Sequence, residues 1–66
     1  MLYTDALREA RVKANLTQKQ VADALHTSRV TIAQYEAGTI SAPKLSRLIE
    51  MADLYNTTID KLVGRE

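Results

Sequence analysis

Three side chains of one short predicted helix, Arg29, Val30 and Gln34, have the chemistry needed to contact the edges of DNA bases. If Ile32 points into the core, a rotation of about 100° per residue places Val30 and Gln34 on the opposite face of the helix. A glutamine amide can pair with adenine, an arginine can bind guanine or a phosphate, and a valine can cover a thymine methyl group. Together with Ser28 at the helix start, these are the predicted base contacts. The alternative is a solvated helix face with one exposed valine.

A second set of residues suits contacts with phosphates, because the free N–H groups and the dipole at a helix N-terminus attract anions. Gln18 follows the start of one predicted helix, and Lys44 opens another directly after Pro43. Such contacts would fix the register of the protein on a duplex without reading its sequence. The predicted phosphate contacts are Thr17, Gln18, Lys44, Lys13 and Thr39.

The distribution of charge favours a polyanionic partner for the middle of the chain. Residues 11–47 contain six bases and two acids, a net charge of +4, whereas the rest contains three bases and six acids, a net charge of −3. A basic centre between acidic ends could dock on a nucleic acid. The alternative is chance clustering of charges on a solvated surface.

Composition argues against catalysis and against bound cofactors. The 66-residue chain has no cysteine and one histidine, which excludes a disulfide framework, a thiolate zinc site and a Cys/His catalytic pair. It also lacks a glycine-rich phosphate loop and a metal-ligand cluster, so we expect no enzyme activity, cofactor, metal or small-molecule ligand. Early charged residues and the absence of a long apolar run predict neither a signal peptide nor a membrane span, and hence a cytoplasmic protein.

Apolar residues recur at helical spacing almost throughout, which predicts an all-α domain of five helices. The first covers residues 4–14, the second begins with a capping box of Thr17 and Gln20, and the third covers 28–38 and ends at Gly38. A fourth helix, expected to be the longest, ends near residues 55–56 and buries one stripe of apolar side chains along its length. A short fifth helix is capped by a threonine, 57 or 58. The predicted stripe of the fourth helix consists of Leu45, Leu48, Ile49 and Ala52.

Only His26 and Thr27 separate the second helix from the third, so the two helices cannot lie antiparallel and should cross steeply, as in a helix-turn-helix unit. The segment LTQKQVADALHTSRVTIAQYEAG, residues 16–38, resembles the Cro/lambda-repressor-like (XRE family) helix-turn-helix proteins. The similarity covers nearly the whole chain. Many family members have a glycine where this chain has His26, which we expect to adopt a left-handed conformation. The alternative is that His26 contacts a phosphate or confers a pH effect. The matching positions are Gln18, Ala22, Ile32, Tyr35, Glu36 and Gly38, followed by Leu48, Ala52 and the TIDKL segment at 58–62.

This resemblance implies a single lambda-repressor-like domain over residues 1–66, with its helix-turn-helix unit at about 17–38. It implies a sequence-specific, double-stranded DNA-binding transcriptional regulator, a repressor that binds an inverted-repeat operator as a homodimer through the third helix. It also implies a partly buried ion pair between Arg11 and Glu36. The alternative is a protein-interaction module, antitoxin-like or an adaptor, on the same fold.

The resemblance further implies that the dimer forms through the C-terminal helices. Apolar side chains near the end of the chain are candidates for that interface. The alternative is that these side chains complete the core of the monomer. The candidates are Leu54, Tyr55, Ile59 and Val63.

Overall fold

The computed structural model describes residues 2–65; Met1 and Glu66, which the expected domain includes, lie outside this range. The described chain folds into five helices without strands, which confirms the expected fold class. The longest helix is α1 with 11 residues, not α4 with 10. None of these helices has the length and apolarity needed to cross a membrane. The helices are α1 (Tyr3–Lys13), α2 (Gln18–Ala24), α3 (Arg29–Ala37), α4 (Leu45–Leu54) and α5 (Ile59–Leu62).

The start of α2 is fixed by the capping box that the sequence predicts. The Thr17 hydroxyl accepts a hydrogen bond from the Gln20 backbone N–H at 3.1 Å, and the Thr17 N–H donates to the Gln20 side chain at 2.9 Å. The turn to α3 requires a left-handed residue, and His26 supplies it with φ of 56°. The Ser28 hydroxyl then caps α3 by accepting from the Thr31 N–H at 3.1 Å. Local hydrogen bonds therefore define both ends of the turn.

The end of α3 depends on a glycine in the left-handed conformation. Gly38 has φ of +75°, and a Cβ added there would lie 3.2 Å from Cγ2 of Thr4 in α1. A side chain at this position would therefore be strained in its backbone and crowded by α1.

The core lies between the five helices, all of which contribute side chains to one buried cluster. Leu7, Val21 and Ile32 are fully buried, Ala22 of α2 is also buried, and α2 packs against α3. A small residue at position 22 lets the two helices approach closely. The complete buried apolar cluster is Leu7, Val21, Ala22, Leu25, Ile32, Met51, Ala52, Tyr55 and Leu62.

The predicted buried stripe of α4 is wrong at two positions. Leu45 is 64% exposed and Ile49 is 45% exposed, whereas Met51 and Tyr55 are buried with Ala52. Both stripes fit a period of 3.6 residues, so the periodicity alone does not choose between them. Contact of α4 with the rest of the core selects the face that carries Met51, and Leu45 and Ile49 remain on its flank.

Candidate nucleic-acid interface

The outward face of α3 carries the predicted base contacts. Ile32 is fully buried, whereas Val30 is 55% exposed, Arg29 is exposed and Gln34 is half-buried. Ser28 is also exposed, but its hydroxyl is engaged by the helix cap and shares a hydrogen bond of 2.9 Å with the Thr31 hydroxyl. This face therefore combines one cation, one amide and one exposed apolar side chain over little more than a helical turn.

A chain of hydrogen bonds joins this face to the start of α2. Arg29 Nη1 donates to Gln18 Oε1 at 3.2 Å, and Gln18 Nε2 donates to Glu36 Oε1 at 3.3 Å. The orientation of the Gln18 amide is set by these two partners, because its nitrogen faces a carboxylate and its oxygen faces a guanidinium. Gln18, a predicted phosphate contact, and Arg29, a predicted base contact, are thereby hydrogen-bonded to each other, a link that no pattern in the sequence indicates.

The network ends on an ion pair between α1 and the end of α3. Arg11 Nε donates to Glu36 Oε2 at 2.7 Å and Arg11 Nη2 donates to Glu36 Oε1 at 3.0 Å, a two-bond arrangement. The Arg11 and Glu36 side chains are only 13% and 4% exposed. The hydrogen bond to Glu36 raises the pKa of Arg11 against the opposing effect of burial. A third bond, from Nη1 to the Leu16 carbonyl at 2.8 Å, ties α1 to the segment that leads into α2.

The remaining phosphate candidates lie at different places on the surface. Thr17 is exposed at the start of α2, and Thr39 is exposed directly after α3. Lys44 is the exposed N-cap residue of α4 and forms no side-chain cap bond. Lys13 instead lines a recess between α1 and the segment joining α4 to α5, together with Lys61. The structure thus joins Gln18 to α3 through Arg29 and places Lys13 in a separate recess.

Arg47 supports the helix-turn-helix unit, a role that no pattern in the sequence indicates. Its Nη1 donates to the Leu25 carbonyl at 2.9 Å, which satisfies a carbonyl at the C-terminal end of α2. The final carbonyls of a helix lack hydrogen-bond partners within the helix, so the sequence does indicate that the carbonyls near residue 25 need a donor from elsewhere. The spacing of residues does not indicate which side chain is the donor, because Arg47 lies 22 residues further along the chain.

Tyr55 belongs to the monomer core, so its predicted place at a dimer interface is wrong. The residue is 5% exposed, and its hydroxyl has no hydrogen-bond partner among the residues the structure describes. Burial raises the pKa of Tyr55 to about 12, an effect that the Glu36 carboxylate reinforces and Arg11 opposes. The other candidates are half-buried: Leu54 and Ile59 pack against the core, and Val63 is the C-cap residue of α5.

Two short helices separated by a left-handed turn, the second with an outward face that carries Arg29, Val30 and Gln34, define a helix-turn-helix protein. The profile of the helix-turn-helix family matches residues 7–62. The chain therefore belongs to this family, and within it to the XRE, or Cro/lambda-repressor-like, type.

The chain is similar to several transcriptional regulators. It is 44% identical over 62 residues to the HTH-type transcriptional regulator AnsR of Bacillus subtilis (strain 168), covering 94% of this chain and 53% of AnsR. It is 34% identical over 63 residues to the cryptic phage CTXphi transcriptional repressor RstR of Vibrio cholerae, covering 96% of this chain and 56% of RstR. It is 33% identical over 66 residues to the HTH-type transcriptional activator BcrR of Enterococcus faecalis, covering 100% of this chain and 32% of BcrR.

The chain spans about half the length, or less, of these curated relatives. No solved structure gives a significant match.

Proposed function

We propose that this chain binds double-stranded DNA sequence-specifically and regulates transcription, with α3 in the major groove. The observation that carries the proposal is the α3 face itself. Val30 is 55% exposed beside Gln34, and Arg29 is held by Gln18 at 3.2 Å. A half-exposed β-branched residue beside an amide and a guanidinium matches the mixture of methyl groups and hydrogen-bonding groups on base edges.

The contacts divide into those that position the protein and those that read bases. The start of α2 would approach a phosphate, because the Gln18 amide uses one N–H on Glu36 and keeps a second for another acceptor. Thr17, Thr39 and Lys44 would add backbone contacts at other points. Arg29, Val30 and Gln34, with Ser28 at the helix start, would then face the bases.

The regulator we propose is a repressor that binds an inverted repeat as a homodimer. One short recognition helix reads only a few base pairs, and a second copy about 34 Å away on the duplex multiplies affinity and specificity. The name of RstR supports the repressor role, although BcrR is named an activator. Such a protein would act in the cytoplasm of a bacterium, where the operator lies.

The test is selection of bound duplexes from a random DNA pool, followed by fluorescence anisotropy at several salt concentrations. Gln34→Ala should lose the preference for one base by about 1–3 kcal/mol, because its amide no longer pairs with that base. The matched control is Lys44→Ala, which should weaken all sequences equally and reduce the salt dependence by about one phosphate contact. Weak binding that ignores sequence and is the same for wild type and Gln34→Ala would instead favour a protein-interaction module.

A further inference from the structure

A recess of about 750 Å³ lies between α1 and the end of the chain that carries α5, and the proposed function does not use it. Its floor is formed by Ala6 and Tyr55, which are 3% and 5% exposed. Ala10 and Ala14 follow Ala6 at intervals of four residues and therefore extend the same wall along α1, while Leu54 belongs to the other wall. Methyl side chains on α1 leave space that larger residues would fill. We call this space the α1–α5 recess.

The size and the lining of the α1–α5 recess are typical of small-molecule sites. Such sites measure about 300–1,000 Å³ and combine apolar walls with a few polar groups that fix the orientation of the ligand. The polar groups here are Glu9 and Lys13 of α1, Lys61 of α5, and Asn56 and Thr57 of the segment between α4 and α5. All but Thr57 are exposed, so they stand at the rim. An apolar floor under a polar rim suits a molecule with an apolar body and one polar end.

The charges at the rim favour an anionic end. Lys13 and Lys61 outnumber the single acid of the lining, Glu9. The ion pairs formed within residues 2–65 use three other bases, so neither of these ammonium groups is held by a carboxylate of that range. Two lysines on one rim can therefore both donate hydrogen bonds to a ligand carboxylate.

We propose that the α1–α5 recess binds a small carboxylic acid with an apolar body, whose carboxylate contacts Lys13 and Lys61 and whose body covers the alanines of α1. Lys13 then has a role other than the phosphate contact predicted from the sequence, since no residue of α2 or α3 lines the recess. The site is independent of DNA binding by α3. The expectation of no small-molecule ligand rested on the absence of sequence motifs, and a recess built from the first helix and the last two has no motif.

The probe is phenylbutyrate, titrated into the isotope-labelled full chain at neutral pH and constant ionic strength and followed by amide chemical shifts. The dissociation constant should be on the order of a millimolar, as for other ligands of this size. The shifts should concentrate in residues 6–14 and 54–64, which carry the lining. Phenylbutylamine has the same apolar body with the opposite charge and should bind about threefold more weakly or less.

Two variants test the charged and the apolar half of the site. Lys13→Gln/Lys61→Gln should weaken phenylbutyrate binding by about fivefold, because both ammonium groups are removed. The matched control is Lys19→Gln/Lys44→Gln, which changes the net charge equally at exposed positions outside the recess and should bind phenylbutyrate like wild type. Ala10→Leu should abolish binding by filling the recess, and thermal unfolding confirms that each variant is folded.

Three results would overturn the proposal. The first is the absence of shifts in the recess amides at phenylbutyrate concentrations about ten times the expected dissociation constant. The second is equal affinity of phenylbutyrate for Lys13→Gln/Lys61→Gln and for its control variant, since the rim lysines would then contribute nothing beyond net charge. The third is equal affinity of the wild type for phenylbutyrate and phenylbutylamine, which would show that the recess does not select an anion.

Discussion

Replacing Arg11 by methionine would remove the guanidinium that neutralises a buried carboxylate. Arg11 is 13% exposed and Glu36 is 4% exposed in the pair, and three of the five guanidinium hydrogens are donated to Glu36 and the Leu16 carbonyl. Methionine retains much of the apolar stem but donates nothing. Among residues 2–65, the carboxylate of Glu36 would then keep one side-chain partner, Gln18, which donates at 3.3 Å.

The expected loss of stability follows from the Glu36 carboxylate that the substitution leaves buried and unpaired. Breaking a buried pair by removing one partner typically costs about 3–5 kcal/mol, because the remaining charge stays desolvated. A domain of this size loses roughly 4–8 °C of melting temperature per kcal/mol. A loss of about 3 kcal/mol at about 4 °C per kcal/mol already lowers the melting temperature by about 12 °C. The effect should extend to DNA binding, because Glu36 orients Gln18 and Gln18 holds Arg29.

The assay is thermal unfolding followed by circular dichroism at neutral pH. The control is Arg8→Met, which removes an ion pair with Asp5 whose side chains are 55% and 47% exposed. An exposed pair contributes only about 0–1 kcal/mol, so this variant should melt within a few degrees of wild type. If Arg11→Met melts at the same temperature as Arg8→Met, the reasoning from burial and geometry is refuted.

Further predictions concern single positions. Burial raises the pKa of Tyr55 from 10.0 to about 12. Between these pH values the Tyr55 hydroxyl stays protonated in the folded chain and ionises in the unfolded chain. The free energy of unfolding should therefore decrease as the pH rises from about 10 through 12. Measured by urea unfolding, the free energy of unfolding of Tyr55→Phe should decrease less over this pH range than that of the wild type. Equal decreases would contradict the assignment of this pH dependence to Tyr55. Gly38→Ala should lower the free energy of unfolding by about 1 kcal/mol or more, since its Cβ would be crowded by Thr4 at φ of +75°; Thr4→Ala in the same chain should restore part of it. His26→Gly should raise the free energy of unfolding by about 0.5 kcal/mol by relieving a left-handed histidine, and a decrease would show that the imidazole has a stabilising contact.

Local hydrogen bonding explains why much of the fold could be predicted from the sequence. The capping box of Thr17 and Gln20, the Ser28 cap and the left-handed residues His26 and Gly38 act within about four residues of the chain. Such features depend on side-chain type and spacing alone, so they could be placed before any packing was known. They fix the ends of α2 and α3, and with them the helix-turn-helix unit and the outward direction of Val30.

The sequence by itself thus determined the helices, their caps and the face of α3 that points away from the core. Only the tertiary structure decided which face of α4 is buried, because Leu45 with Ile49 and Met51 with Tyr55 satisfy the helical period equally well. It also decided that Arg47 reaches the Leu25 carbonyl and that Gln18 bridges Glu36 and Arg29. These contacts join residues 11 to 22 positions apart, and their partners are set by how the helices pack, which no local pattern of residues specifies.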